Sequence, residues 1–263
     1  MKQLSLSGTA LEISGSGTPV VLLHGVGLDQ SIWAGQAKAL ESEFQIITYD
    51  LLGHGRSAAA TANAPLADWV NQLDNVVRSL ALEKFALVGF SFGGLIAQAY
   101  AAQHPHMIDR LVLMSTVYDR SEAERTSVFA RLEVVKREGS QATIPTALSR
   151  WFSPEFSKTN PEIMNQYEAL LRSNDASSFL SAYECFAVAD QDLVGALSKF
   201  NRPALVVTGE LDTGSTPNMA RKLAAMIPGA ECSIIAGGRH MMPVEKPDEV
   251  NSVLLGFLKK GSP

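Results

Sequence analysis

The 263-residue chain is long enough to bury a sizeable core, and its composition, 46% hydrophobic and 19% charged, excludes disorder as the main state. Its formal net charge of −5 argues against nucleic acid or an anionic membrane surface as a partner, because both attract an excess of Lys and Arg. The N-terminal stretch lacks the apolar run of a signal peptide, and no apolar run approaches the roughly 18 residues that span a bilayer, so we expect a cytoplasmic protein.

The first 117 residues alternate between strand and helix signals. Short apolar runs predict strands at Leu4–Ser7, Ala10–Ser14, Pro19–His24, Gln45–Asp50, Lys84–Phe90 and Arg110–Thr116. Helical spacing predicts helices between them at Ser31–Leu40, from Pro65 to Leu80, and at Phe92–Gln103. Strands that alternate with helices are typical of a parallel sheet with right-handed crossovers.

The alternation stops near Val117. The next stretch contains no convincing strand, and its helical signals are Ser121–Glu138, Asn160 to Arg172 and Asp175–Ala189, with Asn160 and Asp175 at helix N-cap positions. The alternation then resumes with a strand at Ala204–Glu210, a helix opened by Pro217, a strand at Glu231–Ala236 and a helix at Pro247–Leu258. We therefore expect an α/β core made of residues 1–117 and 196–263, interrupted by a helical insertion over 118–195.

The strongest chemical signal is Gly89-Phe90-Ser91-Phe92-Gly93, which matches the pattern G-x-S-x-G between a predicted strand and an Ala-rich helix. The glycines allow a helix to pack close to a strand, and the turn projects the Ser91 hydroxyl from the sheet edge. A solvated serine in a glycine-rich turn is the alternative interpretation. The candidate nucleophile is Ser91.

A nucleophilic serine needs a base, because its hydroxyl is barely ionised near neutral pH. His240 lies in a glycine-containing loop after the last predicted strand and is the candidate base. We interpret the other four histidines, His24, His54, His104 and His106, as structural.

An acid is needed to hold the histidine tautomer. Asp212 follows the strand Ala204–Glu210, and Asp119 follows the preceding core strand, so both are candidates. The chain order Ser, Asp, His favours Asp212.

Glycines in His24-Gly25-Val26-Gly27 allow backbone amides to approach an oxyanion. We expect the backbone N–H groups of Val26 and of Phe92, the residue after the nucleophile, to form an oxyanion hole.

These motifs together resemble the α/β-hydrolase superfamily over nearly the whole chain: HGVG at His24, DLLGHGRS at Asp50, GFSFGG at the serine, GELD at Asp212 and GGRHMMPVEKPDEV at His240. The resemblance implies an α/β-hydrolase fold, with a mostly parallel eight-stranded sheet flanked by helices and an inserted helical cap that covers the site.

A narrower resemblance is to 3-oxoadipate enol-lactonases. It rests on Arg150-Trp151-Phe152-Ser153-Pro154-Glu155-Phe156 and on Tyr183-Glu184-Cys185 followed by Ala189-Asp190-Gln191-Asp192-Leu193, and the sequence departs from it at Thr213-Gly214-Ser215. Trp151 then either lines the pocket or fills the core of the cap. The candidate substrate-binding residues are Trp151, Arg150 and Phe90, although a solvated Arg150 is the simpler interpretation.

The expected reaction is hydrolysis of a small-molecule ester or lactone, most simply an enol-lactone, through an acyl-enzyme. No metal or organic cofactor is implied, since there is no ligand cluster or phosphate loop and the two cysteines are too few for a thiolate site. Alternatives on the same scaffold are a carbon–carbon bond hydrolase of ring-fission products, a small-ester carboxylesterase and a cofactor-free perhydrolase. A small-molecule receptor is the alternative from another class. The oligomeric state is not predicted.

Overall fold

The computed structural model describes residues 2–6 and 8–260, so Ser7 at the end of one predicted strand lies outside the described residues. The strands, in chain order, are β1 (Lys2–Leu6), β2 (Thr9–Ser14), β3 (Thr18–Leu23), β4 (Phe44–Tyr49), β5 (Phe85–Phe90), β6 (Ile108–Met114), β7 (Ala204–Gly209) and β8 (Glu231–Ile235). They form one eight-stranded sheet in the order β1-β2-β4-β3-β5-β6-β7-β8. β2 pairs antiparallel with β1 and β4, whereas the other neighbouring strands are parallel, so the predicted mostly parallel sheet is confirmed.

Helices connect the strands. They are α1 (Ala34–Leu40), α2 (Leu66–Ser79), α3 (Phe92–Gln103), α4 (Glu122–Glu138), α5 (Ile144–Trp151), α6 (Pro154–Thr159), α7 (Pro161–Ser173), α8 (Ala176–Val188), α9 (Pro217–Met226), α10 (Met242–Glu245) and α11 (Pro247–Leu258). The predicted helix Ser31–Leu40 is divided, because a 3₁₀ turn at Gln30–Trp33 precedes α1. Among the described residues, no helix is long and apolar enough to cross a membrane.

The sheet is covered on both faces. Apolar residues of α2, α3 and α9, among them Leu73, Leu95 and Leu223, pack on one face. α1 and α11 cover the other face, with Leu40 and Leu254 in its core. Each face of a parallel sheet is apolar, so burial by helices on both sides is the stable arrangement.

The chain between β6 and β7 is helical, with α4 to α8 and no strand among the described residues there. Ser121 caps α4 in a capping box, and Asp175 caps α8 by accepting a hydrogen bond from the Ser178 amide, as its position predicted. Asn160 does not cap α7 with its side chain, because its amide donates to the Phe156 carbonyl instead. The division into a core and a cap over 118–195 stays a prediction.

The order of strands also places the site. β3 lies between β4 and β5. After β3 the chain forms β4 on one side of it and then crosses over to form β5 on the other side. The carboxyl ends of β3 and β5 are therefore adjacent, with Leu23 paired to Gly89. Ligands of open α/β sheets bind where the strand order reverses in this way.

Candidate active site

Ser91 lies between β5 and α3 on a sharp turn that the surrounding chain holds in place. Its φ of 54° and ψ of −114° lie in a sparsely populated region for a residue with a side chain. The Ser91 amide donates to the Met114 carbonyl at 2.9 Å, and Thr116 Oγ1 donates to the Ser91 carbonyl at 2.9 Å. The side chain is 4% exposed and lines a cavity. Such strain persists only where packing enforces it, and it is frequent at functional sites.

Two glycines make this turn possible. A Cβ on Gly89 would collide with the Gly93 carbonyl oxygen, and a Cβ on Gly93 would lie 2.6 Å from the carbonyl oxygens of Leu23 and His24. The Gly93 amide donates to the His24 carbonyl at 3.0 Å, which joins the start of α3 to the end of β3. The predicted need for glycine on both sides of Ser91 therefore has a steric cause.

His240 follows β8, and its ring is held by Asp212, which follows β7. His240 Nδ1 lies 2.7 Å from Asp212 Oδ2. The other carboxylate oxygen accepts the amides of Gly214 and Ser215, each at 2.9 Å, so the buried carboxylate is well supplied with donors. With Nδ1 donating to the carboxylate, Nε2 is free to accept a proton.

Asp119, the other candidate acid, lies at the surface. Its carboxylate forms an ion pair with Lys222 at 2.8 Å, and both side chains are about half exposed. The structure thus pairs His240 with Asp212, the partner that the chain order favoured.

Val26 follows β3 and Phe92 follows β5, the two adjacent strands between which the strand order reverses. Val26 lines the cavity with Ser91, and Phe92 is the first residue of α3. Within the described part of the chain, neither N–H donates to a protein acceptor. Amides at a helix start and in a glycine loop can stabilise a negatively charged oxygen. Their predicted role as an oxyanion hole stays a prediction.

Two buried histidines brace the loop that carries Val26. His54 Nε2 accepts the Gly27 amide at 2.9 Å, and His24 Nδ1 donates to the Gly25 carbonyl at 2.8 Å. Burial lowers the pKa of His24 to about 4 and that of His54 to about 3. Both rings are therefore neutral near pH 7, as a ring nitrogen that accepts a hydrogen bond requires. These hydrogen bonds fit the structural role predicted for His24 and His54.

The cavity at Ser91 has a volume of about 280 Å³. Asp212, His240 and residues of α4, α5 and α8 also line it. Trp151, half-buried at the end of α5, is one of them, and its ring centroid lies 6.0 Å from that of His240. Trp151 therefore lies in the cavity wall near His240, and its contact with a substrate stays a prediction.

Three arginine side chains line this cavity, together with the carboxylates of Glu124 and Asp212. Arg120 forms a buried ion pair with Asp190 at 2.6 Å, and Arg131 Nε donates to the Tyr183 hydroxyl at 3.2 Å. Arg150 has no carboxylate partner among the residues that the structure describes, and its Nε is buried without an acceptor. Burial lowers the pKa of Arg150, and the nearby Arg131 cation lowers it further. An anionic ligand would supply the missing partner, whereas no group of His, Cys, Asp and Glu within residues 2–6 and 8–260 is arranged to hold a metal ion.

Comparison with known proteins agrees with this geometry. A model of the alpha/beta hydrolase fold family matches residues 18–247. The chain belongs to the α/β-hydrolase family. It is 32% identical over 259 residues to the (E)-2-((N-methylformamido)methylene)succinate hydrolase of Acinetobacter baylyi. The alignment covers 98% of this chain and 97% of that protein.

Two enol-lactonases are also similar to this α/β-hydrolase. The 3-oxoadipate enol-lactonase 2 of Acinetobacter baylyi is 24% identical over 241 residues, 92% of this chain and 88% of that protein. The crystal structure of the enol-lactonase from Burkholderia xenovorans LB400 superposes with a TM-score of 0.87 and 27% identity, covering 98% of this chain and 99% of that one. The resemblance to enol-lactonases seen in the sequence is confirmed.

The structure of this α/β-hydrolase corrects the prediction for Phe90. Phe90 does not line the cavity and is fully buried at the end of β5. The alternation along β5 places it with Val88 in the core on one face of the sheet. Its ring centroid lies 6.2 Å from that of Trp33 and 5.0 Å from that of His240. Phe90 therefore supports the histidine ring and does not reach the substrate space.

Some cavity residues have no clear sequence signal. Arg131 lies on α4 among other charged residues, and Tyr183 was noted only as part of a family resemblance. Gly214 belongs to the segment where the sequence departs from enol-lactonases. A Cβ on Gly214 would lie 3.9 Å from Arg150 Nη1, an ordinary van der Waals contact, so the guanidinium lies beside the loop that carries Asp212.

Proposed function

We propose that this α/β-hydrolase is a serine hydrolase that cleaves a small ester or lactone through an acyl-enzyme, with enol-lactone hydrolysis as the reaction we favour. The observation that carries the proposal is the 2.7 Å contact of Asp212 with His240 at a cavity that Ser91 also lines. Nucleophile, base and orienting acid are the parts that acyl transfer requires. The similarity to two enol-lactonases supports the choice of a lactone.

In the proposed mechanism, His240 Nε2 takes the proton of the Ser91 hydroxyl as its oxygen attacks the carbonyl carbon. Asp212 stabilises the imidazolium that forms and keeps Nδ1 as the donor. The oxyanion accepts hydrogen bonds from the amides of Val26 and Phe92. His240 then protonates the leaving oxygen, and it activates the water that hydrolyses the acyl-enzyme.

The proposed substrate carries a carboxylate that binds Arg150. Arg150 is half-buried, and its buried Nε has no acceptor, so an incoming anion would provide a direct partner that the nearby Asp212 carboxylate does not. Trp151 forms the cavity wall between this guanidinium and His240 and would contact the substrate through its ring. A cavity of about 280 Å³ restricts the substrate to a small molecule.

Hydrolysis of an amide is the second candidate. The relative that is 32% identical over 98% of this chain is named for a substrate with a formamido group and a succinate. An amide differs from an ester in its leaving nitrogen, which His240 would have to protonate before the bond breaks. Rates on an ester and an amide of matched structure would distinguish the two candidates.

The experiment that tests the proposal is a turnover screen of purified protein on lactones, esters and amides, with and without a free carboxylate. Wild-type protein should turn over steadily, while Ser91→Ala should lower kcat by a factor of about 10³–10⁶ with an unchanged melting temperature. A fluorophosphonate probe should label Ser91 and fail to label the variant. Labelling at another serine would contradict Ser91 as the nucleophile. A single burst without turnover would contradict a hydrolase and favour a receptor.

A further inference from the structure

A second cavity of about 150 Å³ adjoins the one at Ser91. Its walls are mostly apolar and come from four helices: Val134 of α4, Ile144 and Ala147 of α5, Leu171 of α7 and Phe179 of α8. We call it the side chamber. Ser91, Asp212 and His240 do not line it, so the proposed mechanism gives it no task.

The side chamber is continuous with the cavity at Ser91. Val26, Arg131, Arg150, Trp151 and Tyr183 line both spaces and form the neck between them. The charged side chains of the side chamber, Arg131 and Arg150, therefore lie at the neck, and the walls beyond it are apolar apart from Ser140, Thr143 and Thr146. This arrangement suits a molecule whose polar part stays near Ser91 while an apolar part extends through the neck into the side chamber.

The volume sets the size of that apolar part. An apolar cavity of about 150 Å³ lined by Leu, Ile and Phe stays dry and holds a benzene molecule, so about six carbon atoms fill such a space. The side chamber has about the same volume, and its walls include Ile144, Leu171 and Phe179 together with the hydroxyl-bearing Ser140, Thr143 and Thr146.

We propose that the side chamber binds an apolar arm of about six carbon atoms on the acyl portion of the substrate. The proposal rests on the serine hydrolase function proposed above and names the substrate class. The acyl portion is assigned because the side chamber borders Val26, whose amide faces the oxyanion in that mechanism, and does not border His240, which protonates the leaving group.

The walls of the side chamber also touch the loop that carries Val26. A Cβ on Gly27 would lie 2.9 Å from Phe179 Cε2 and 3.1 Å from Leu171 Cδ2, so both side chains pack directly on this glycine. Asn174 Nδ2 donates to the Gly27 carbonyl at 2.9 Å. An arm that orders Phe179 and Leu171 would thus also order the Val26 amide, and part of the gain should be seen in kcat as well as in KM.

The test uses p-nitrophenyl esters from acetate to octanoate. Wild-type kcat/KM should rise by up to about fourfold for each methylene through hexanoate and heptanoate, which carry five and six carbon atoms beyond the carbonyl, and then level off or fall. Ala147→Phe fills the side chamber from α5, and Val134→Phe fills it from α4. If one of the two variants does not fold, the other is measured. In either variant the hexanoate-to-acetate ratio should fall at least about tenfold. Ala130→Phe adds the same bulk at an exposed position of α4 and should keep the wild-type ratio.

A second measurement does not depend on turnover. Calorimetric titration of Ser91→Ala protein with propionate, butyrate, pentanoate and hexanoate should show Kd falling by up to about fourfold for each methylene. The trend should be lost in Ser91→Ala combined with Ala147→Phe. A flat series in both measurements would overturn the side chamber proposal, as would a chain-length preference in the alcohol and not the acyl part. Loss of all Ser91-dependent turnover with the calorimetric trend intact would contradict the proposed function and leave the side chamber supported.

Discussion

Asp212 contacts His240 through one carboxylate oxygen and its own loop through the other. Oδ2 lies 2.7 Å from His240 Nδ1, while Oδ1 accepts the amides of Gly214 and Ser215 at 2.9 Å each. The two amides fix the rotation of the carboxylate, so Oδ2 points to the ring without further adjustment. The orientation of His240 is therefore set by the backbone after β7.

Replacing Asp212 by asparagine should lower kcat by a factor on the order of 10⁴. The amide oxygen can still accept from the Gly214 and Ser215 amides, which leaves the NH₂ group against His240 Nδ1. The ring must then carry its proton on Nε2 and cannot accept one from Ser91. Steady-state kinetics on an ester that the wild type hydrolyses measures the effect.

Asp119→Asn is the matched control, because Asp119 follows the preceding core strand but pairs with Lys222 at the surface. A half-exposed ion pair contributes at most about 1 kcal/mol, so kcat should change less than about tenfold and stability very little. If Asp119→Asn were the more damaging change, the assignment of the acid would be wrong.

Arg150→Met should weaken binding of carboxylate-bearing substrates. A hydrogen bond to a charged group is worth about 1.5–3 kcal/mol, so kcat/KM should fall about 10- to 150-fold for an ester with a free carboxylate. The same ester with that carboxylate methylated should lose little. The comparison of the two esters measures recognition separately from chemistry.

Stability gives an independent readout for Arg150. Because its Nε is buried without an acceptor, replacing the cation by a side chain of similar length should leave the melting temperature unchanged or raise it. Arg150→Lys keeps the charge and should retain part of the preference for the acid. Equal losses on the acid and on its methyl ester would exclude a carboxylate contact.

Trp151→Ala should change substrate selectivity more than stability. The indole lines the cavity and is only half-buried, so its loss should cost less than the about 3–5 kcal/mol of a fully buried aromatic. The denaturation midpoint and the ratio of kcat/KM for a short and a long ester measure the two effects. A large loss of stability with an unchanged ratio would mean that Trp151 only packs.

Acid should destabilise the fold through His24 and His54. Their pKa values are lowered by burial from 6.5 to about 4 and about 3, so below pH 6.5 the unfolded chain binds protons that the folded chain does not. The contribution of these two histidines to the free energy of unfolding is therefore fully present above pH 6.5. It should fall by about 1.4 kcal/mol per histidine per pH unit as the pH decreases towards 4. Urea denaturation across this range measures the slope.

His54→Gln is the matched variant for this slope. The glutamine oxygen can accept the Gly27 amide in place of His54 Nε2, but it does not titrate in this range. The pH dependence of the unfolding free energy should become shallower in His54→Gln by about 1.4 kcal/mol per pH unit. An unchanged slope would show that His54 is not neutral in the folded protein.

Local signals predicted most of the fold. Buried parallel strands require short apolar runs, and each predicted strand lies within two residues of the observed one where the structure describes it. The short helices α5, α6 and α10 were not predicted. Each is too short to show a helical period, and Pro145, Pro154 and Pro243 each lie in the first turn.

Local sequence is enough to specify the turn at Ser91 and the chain order of Ser91, Asp212 and His240. Gly89 and Gly93 are required by close contacts among β5, α3 and the end of β3. These contacts are local, so the need for both glycines is visible in the motif itself. Asp212 and His240 each follow a core strand, and parallel strands bring their carboxyl ends to one edge of the sheet.

The way in which the helices between β6 and β7 surround that edge depends on tertiary packing. Arg131, Arg150 and Tyr183 come from α4, α5 and α8, and no periodicity marks which side chain of an amphipathic helix turns towards a cavity. The burial of a cation depends on the packing of several helices at once, because each helix removes water from only part of the side chain. The charge and shape of the substrate space are therefore properties of that packing, while the position of Ser91 follows from local backbone sterics.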